Sequence, residues 1–509
     1  MPKKPFVILF VLLLAAAAFA GPDLSVADYG AKGDGKTDCT EAFQKALDAA
    51  FAAGGGSVRV PAGDYAFRGT LKIRSGVFLT GTFEAPPTNY NPHEKEQGKK
   101  YSGSALMAYA GKNDPESDAF ITLEGSNCGV KGLIVAYPEW SQETVPPVPY
   151  PPCIAGYAGD NQNVIDCLLL NPYEGIRLSG VGRSYIRNVT GYPIKRGLYI
   201  DKCYDVSRVE NCHFWPFGVA YDQKEKYCEW INKNGVAFEF ARSDRQYVLN
   251  CFCFGYGAGY KFSESDAGSC SGSFLGPGAD CCANSVLVEA CRAPGLLFTN
   301  GEFTGRWSSS DSCPAEIKQT AEGKVSFANC SFWGPVDTCI RTESPDGLLS
   351  VIGCHFDGWD AAAIALGGGN AVIQGNTFAD RYPHIVVGEK TKSAEIAGNM
   401  SSRPLSVENR IGSRARIAGN GAAPPAPMTA EQRKNYSVDV GAPGDEPFLE
   451  NFYPGEAAGE FRAGGAKRWS RKNERIKLQV NKNTRYTVTF DLYVPKEALK
   501  ENAGVYLDE

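Results

Sequence analysis

Val325-Ser-Phe327-Ala-Asn-Cys330-Ser-Phe332 returns as Leu349-Ser-Val351-Ile-Gly-Cys354-His-Phe356 and Ala371-Val-Ile373-Gln-Gly-Asn376-Thr-Phe378. It returns again, shortened, as Ala394-Glu-Ile396-Ala-Gly-Asn399 and Ala415-Arg-Ile417-Ala-Gly-Asn420. The Cys or Asn marker falls at 330, 354, 376, 399 and 420, in steps of 24, 22, 23 and 21 residues. A fixed period of this size signals stacked repeats. Apolar residues alternate within each phrase, which is a strand period. The residue before each marker is Gly or Asn, the usual chemistry of a bend. The reading is a parallel β-helix in which each copy is one coil, stacked roughly 4.8 Å from the next.

Aligned on the marker, earlier copies occur at Leu133, Cys167, Val189, Cys212 and Cys251, with a weaker one at Gly301. The step from 251 to 301 leaves room for two coils and a loop. The longer steps 133–167 and 212–251 hold a Pro-rich run, Pro138 to Pro152, and an aromatic insertion, Trp215 to Asn234. Long connections in a solenoid tend to carry function. Each coil has a second phrase, seen in Gly175-Ile-Arg-Leu178, Gly197-Leu-Tyr-Ile200, Gly235-Val-Ala-Phe238 and Gly259-Tyr-Lys-Phe262. It predicts a second strand and a second face.

Residues 1–20 read as an export signal: Lys3 and Lys4, an apolar run from Phe6 to Phe19, then Ala18-Phe19-Ala20. The run is short for a membrane span. With 509 residues and a formal charge of −5, the composition argues against nucleic acid as a partner. A secreted, periplasmic or cell-surface protein without membrane insertion is expected. Seventeen cysteines in such a chain raise the question of disulfides. Cys212, Cys330 and Cys354 stand at the stacking position and are expected inside as thiols. Cys270, Cys281, Cys282 and Cys313 read as loop residues and are the disulfide candidates. With four His and no C-x-x-C pair, no metal site is expected.

Near the start the chain reads Val26-Ala-Asp-Tyr-Gly-Ala-Lys-Gly-Asp-Gly-Lys-Thr-Asp38, then a helix over 40–53, then Gly54-Gly-Gly-Ser-Val-Arg-Val-Pro-Ala-Gly-Asp-Tyr65. Asp38 and Glu41 suit a capping box. Asp34 suits a turn. Ala42, Phe43, Ala46, Leu47 and Ala50 form an apolar face that could cover the open first coil. This segment resembles the N-terminus of the pectate-lyase-like β-helix proteins of rhamnogalacturonase, epimerase and phage-tailspike type. The resemblance implies an all-β, single-stranded, right-handed parallel β-helix over 21–421 with an N-terminal capping helix. It also implies, commonly, a polysaccharide substrate, but not the reaction. After Asn420 a Pro/Ala linker is expected over 422–435. A small antiparallel, β-sandwich-like accessory unit is expected over 436–509, short for a complete sandwich.

The richest region for chemistry is 174–262. By alternation Glu239 points outward between Phe238 and Phe240. Arg177, Asp201 and Lys261 share outward positions, and Glu174, Lys195 and Arg196 precede the strands. Trp215, Phe217, Tyr227 and Trp230 could wall the site, since aromatic rings cover sugar faces. The candidate catalytic carboxylates are Glu239, Asp244, Glu174 and Asp201. Arg177, Lys195, Arg196, Trp215, Trp230, Arg242 and Lys261 are the candidate binders of an acidic sugar. Glu302, Arg306, Trp307, Asp337, Asp360 and His384 could extend the site. Glycoside hydrolysis by two carboxylates is the leading expectation. A lyase, with Ca²⁺ as a conceivable helper, and a non-catalytic polysaccharide-binding solenoid are the alternatives. The Asn-Thr-Asp, Asp-Asp and Gly-His-Gly signatures of polygalacturonase-like hydrolases are missing.

Overall fold

The computed structural model describes residues 24–83, 103–216, 219, 221–222, 224–306, 312–318, 323–379 and 381–422, and the backbone of 459–463 and 466–470. The repeated phrase is two strands, where the sequence suggested one. In the first copy Lys324–Ala328 runs to a corner at Asn329, and Ser331–Trp333 leaves it. The corner residue is left-handed in coil after coil: Asn211, Asn250, Asn300, Asn329, then Gly353, Gly375, Gly398 and Gly419, with φ between 50° and 65°. A Cβ disfavours that conformation, and Gly or Asn tolerates it best. This is why the marker follows one of them in all but one coil, where Asp166 takes the same conformation, φ 53°, before Cys167. The second phrase adds a third strand, Val336–Thr342 in this coil. Its copies form a thirteen-stranded parallel sheet, and the other two strands of each coil form the parallel ladders on either side of the corner.

The marker has a hydrogen-bonding task. Cys330 N–H donates to Cys354 Sγ (3.4 Å), Cys354 N–H to Asn376 Oδ1 (2.8 Å), Asn376 N–H to Asn399 Oδ1 (3.0 Å), and Asn399 N–H to Asn420 Oδ1 (2.9 Å). The corner strips this N–H of its ladder partner, so a side chain of the next coil must accept from it. Cys and Asn both can. Cys212 N–H uses Cys251 Sγ in the same way, at 3.4 Å. Beside this ladder Phe274, Phe298 and Phe327 stack at 4.8 and 5.0 Å between centroids, and Phe332, Phe356 and Phe378 at 5.2 and 4.9 Å.

All seventeen cysteines are buried thiols. Cys212, Cys330 and Cys354 are inside, as expected. The disulfide expectation for Cys270, Cys281, Cys282 and Cys313 is corrected. The stretch 251–301 is a further pair of coils, with strands Gly272–Leu275, Gly278–Asp280 and Asn284–Val288, in which Cys270, Cys281 and Cys282 are buried; Cys313 is buried just before the next strand, Ala315–Ile317. Burial raises the Cys313 thiol to about 12 and pushes Cys270 well up.

At the N-terminal end the helix Thr40–Ala52 buries Phe43, Ala46, Leu47 and Ala50. Asp38 accepts from the Thr40 N–H and hydroxyl at 3.1 and 2.6 Å. Asp34 closes a turn by accepting from the Thr37 and Lys36 N–H groups, which hold its carboxyl down at about 2. The insertion after the 213–214 strand forms a second helix, Lys226–Asn234. Its Tyr227 is fully buried and accepts from Trp140 Nε1 at 2.7 Å. Tyr227 is therefore a packing residue and not part of an exposed wall: on the helix, the face that meets the solenoid carries it inward. Phe217 and Trp307 lie outside the described residues.

Contacts divide the chain into two units, Met1–Ala423 and Pro424–Glu509. In the second, Gly459–Ala463 and Ala466–Ser470 pair antiparallel. The expected signal at 1–20, the linker core and the remaining C-terminal strands lie outside the described residues.

Candidate functional site

The outer face of the thirteen-stranded sheet carries one row in register: Ala155, Arg177, Tyr199, Glu239, Lys261, Leu287, Glu316, Arg341, then Ala365 and Val386. Phe238 and Phe240 are fully buried on the opposite side of the strand Val236–Phe240, so Glu239 points out of the solenoid as alternation requires. It is nevertheless 5% exposed, because cations cover it. Arg196 Nε lies 2.9 Å from Glu239 Oε2 and Lys261 Nζ 3.6 Å from Oε1. Arg196 also reaches Glu174 at 3.5 Å, and Arg177 grips both Glu174 oxygens at 2.8 and 2.5 Å. Lys261 continues to Glu289 at 3.2 Å. The result is a chain of alternating charge, Arg177–Glu174–Arg196–Glu239–Lys261–Glu289, crossing neighbouring coils.

Two neutral-capable groups flank it. Tyr199 lies under the Arg196 guanidinium, 4.6 Å from carbon to ring centroid. Burial, then the charges of Asp201 and Glu239, raise its phenol to about 12. Lys195 donates to the Asn234 carbonyl at 3.0 Å and sits 5.9 Å from the Trp230 ring centroid. Burial, then the Arg196 and Lys261 cations, lower its ammonium pKa. Trp230 and Tyr173 meet at 6.4 Å and edge the strip on this side.

The structure therefore brings together Glu174, Arg177, Lys195, Arg196, Trp230, Glu239 and Lys261. Asp201 lies at its edge, near enough for its charge to raise the Tyr199 phenol, while Asp244, Arg242 and Trp215 are not brought in. Asp201 Oδ1 accepts from Lys202 N–H, Arg242 N–H and Ser265 Oγ, at 2.8, 3.1 and 2.7 Å, tying the Glu264–Ser265 turn to the coil. Asp244 lies past the end of its strand, paired with Arg242 at 3.0 Å and Arg292 at 2.5 Å. Its N–H is fixed to the Cys203 carbonyl at 2.9 Å, so it belongs to a turn and is not a second carboxylate beside Glu239. Arg242 covers Tyr204 in that same turn. Trp215 stacks on Phe254 at 4.6 Å in a different ladder, away from this sheet. Glu302 also lies in that ladder; Asp337 and Asp360 are on strands of the strip's sheet, paired with Arg341 and Arg381. His384 is buried inside, between Ser401 Oγ and Ser406 N–H. Sequence reasoning passed over Tyr199, Glu316 and Arg341. The alternation that selected Glu239 selects them too, since all stand on one register row.

The fold and this charged strip define a parallel β-helix protein with an ionic face along its coils. Residues 24–125 match the family described as rhamnogalacturonase A/epimerase, pectate lyase-like. It is 50% identical over 66 residues to alginate lyase 7 of Azotobacter vinelandii, covering 12% of this chain and 8% of that one. It is 33% identical over 119 residues to mannuronan C5-epimerase AlgE4 of the same organism, covering 22% and 21%. The match thus spans a small part of those relatives' length. The bacteriophage phi29 gene product 12 N-terminal fragment shares the fold at a TM-score of 0.54 and 15% identity, over 82% of this chain and 73% of that one.

Proposed function

We propose that the strip binds an acidic polysaccharide and removes the proton next to a uronate carboxylate, as a lyase or an epimerase. One observation carries this reading. The two buried carboxylates of the strip, Glu174 and Glu239, are already held by Arg177, Arg196 and Lys261, and the exposed third, Glu289, by Lys261, while a lysine of lowered pKa and a tyrosine of raised pKa stand beside them. Hydrolysis needs one carboxyl group presenting a proton to the leaving oxygen and a second facing the sugar. Carboxylate oxygens engaged by guanidinium groups are poorly placed for either. Proton abstraction needs cations around the substrate carboxylate, a base and an acid.

In this reading Arg177, Arg196 and Lys261 surround the substrate carboxylate. Neutral Lys195 takes the proton from the adjacent carbon, and the electron pair passes into the carboxylate as an enolate. If the pair then expels the glycosidic oxygen β to that carbon, the oxygen takes the Tyr199 proton and an unsaturated end results. If the Tyr199 proton goes instead to the carbon on its other face, the sugar is epimerised and the glycosidic bond stays intact. Ca²⁺ does not fit here: it takes six to eight oxygen ligands, and the strip's carboxylates are bound by cations. The matched relatives include an alginate lyase and mannuronan epimerases, which supports a polyuronate substrate. The reading carries with it an exported chain with leader 1–20, and a C-terminal β unit after a 422–435 linker. No helix among the described residues is long and apolar enough to cross a membrane.

The test is incubation of the intact chain with polymannuronate, alginate and polygalacturonate in deuterated water. Ultraviolet absorbance of unsaturated ends reports elimination, and deuterium beside the carboxylate without cleavage reports epimerisation. New reducing ends with neither signal would establish hydrolysis instead. Binding without any product would establish a non-catalytic solenoid.

A further inference from the structure

The row that carries Glu239 and Lys261 does not end with them. After Leu287 it resumes at Glu316 and Arg341. Lys318 lies 2.6 Å from Glu316 Oε2 and Arg341 lies 3.7 Å from Oε1. Asn284 Nδ2 donates to Oε2 at 3.2 Å. The Arg341 guanidinium also meets Asp337 and approaches the Thr338 hydroxyl at 3.4 Å. The Glu316 side chain is 13% exposed and that of Arg341 32%. This second cluster is therefore half-sunk in the face and not a fringe of solvated charge.

The fold does not require charge there. The next two positions of the row are Ala365 and Val386, and on the other side of the strip Ala155 and Thr122 precede Arg177. The same face with the same pairing is built from small neutral residues on both flanks, and the charges that return at the row's two ends, Lys72 and Glu408, are half-exposed. Partly desolvated ion pairs are weak contributors to stability, so their confinement to the stretch between Arg177 and Arg341 points to a ligand. Six strand steps separate these two residues, which at about 4.8 Å a step is roughly 29 Å along the solenoid axis. That is too long for one sugar and suits a polymer.

We infer that Arg341 and Lys318 form a distal anchoring subsite for a uronate carboxylate of the same polymer that the Arg177–Lys261 cluster engages, the polysaccharide lying along the axis. This deepens the function proposed above and rests on it for the substrate class. The planar Arg341 guanidinium can give a carboxylate two parallel hydrogen bonds, exchanging its present partners for the ligand. Leu287, between the clusters, offers an apolar contact to the sugar ring that bridges them.

The test separates binding from turnover. Affinity of the intact chain for polymannuronate is measured by calorimetry, alongside kcat/KM on the polymer and on a trimer too short to reach both clusters. Arg341→Gln and Lys318→Gln keep the stems and remove the charges. The pair should weaken polymer binding roughly tenfold, the scale of one lost charge-assisted hydrogen bond. It should also lower the polymer-to-trimer ratio of kcat/KM by a similar factor. Unchanged polymer affinity in both single variants and the double variant would overturn the subsite while leaving the catalytic reading intact. Weakened binding in a chain that turns over no polyuronate would keep the subsite and sink the catalysis. Unfolding midpoints of the variants guard against a loss that is merely structural.

Discussion

Arg196 and Glu239 stand on successive coils and meet at 2.9 Å, with the Arg196 guanidinium lying across the Tyr199 ring. Glu239 thereby aims a cation that also touches Glu174, so one carboxylate sets the geometry of the whole strip. In the proposed reaction Glu239 positions other groups and leaves proton transfer to them.

Glu239→Gln should lower turnover of a polyuronate by about 100-fold, within the range for displaced acid–base machinery. It should cost about 1 to 3 kcal/mol of stability, because Arg196 and Lys261 lose a buried counter-charge. Steady-state kinetics and denaturant unfolding measure the two effects. Full turnover with unchanged stability would mean that the pair orders nothing.

The pH profile follows from the two perturbed groups. In the proposed reaction Lys195 is the base when neutral, and its pKa is lowered by burial and by Arg196 and Lys261. The rate should rise with pH toward a point below the ordinary lysine value. In the same proposal Tyr199 is the acid when protonated, and its phenol is held up at about 12, so it stays protonated throughout that rise. Elimination should therefore favour alkaline pH. Lys195→Met should abolish the ascending limb together with activity. Tyr199→Phe should impair elimination while sparing exchange of the acidic proton, read by deuterium incorporation.

Asn376 is fully buried and accepts from Cys354 N–H while donating to the Val351 carbonyl and to Asn399. Asn376→Ala strands at least two buried backbone groups, at about 1–3 kcal/mol each. Asn376→Cys should be milder, since Cys354 and Cys330 do the accepting in adjacent coils. Equal unfolding free energies for the two variants would contradict this account of the marker.

The thiols should be silent in the folded protein. All are buried, and burial raises Cys128 to about 11 and Cys153 and Cys167 to about 12. A thiolate is the reactive form. A colorimetric thiol reagent should react with native protein only as fast as it unfolds, and with seventeen groups in denaturant. Rapid native labelling, or a shortfall in denaturant without reductant, would count against it.

Much of the architecture was legible because a solenoid makes local and tertiary order coincide. The Gly or Asn before each marker is a backbone requirement of one residue, left-handed at Asn329 as at Gly375. The marker's Cys or Asn is a requirement for an acceptor, met one coil away. The outward direction of Glu239 and the buried Phe238 and Phe240 follow from a period of two.

What the chain alone determined, then, was the coil, its corners and the side of the sheet on which each residue stands, because these depend on neighbours in sequence and on a repeat that copies itself. Only the tertiary structure decided that the 251–301 cysteines line coils, that Tyr227 turns inward on its helix, that Asp244 closes a turn with Arg242 and Arg292, and that Arg196 spans Glu174 and Glu239. Long charged side chains choose partners across coils whose spacing in sequence varies with each insertion. Which of them meet is set by reach and register between strands, and no pattern within a single strand records it.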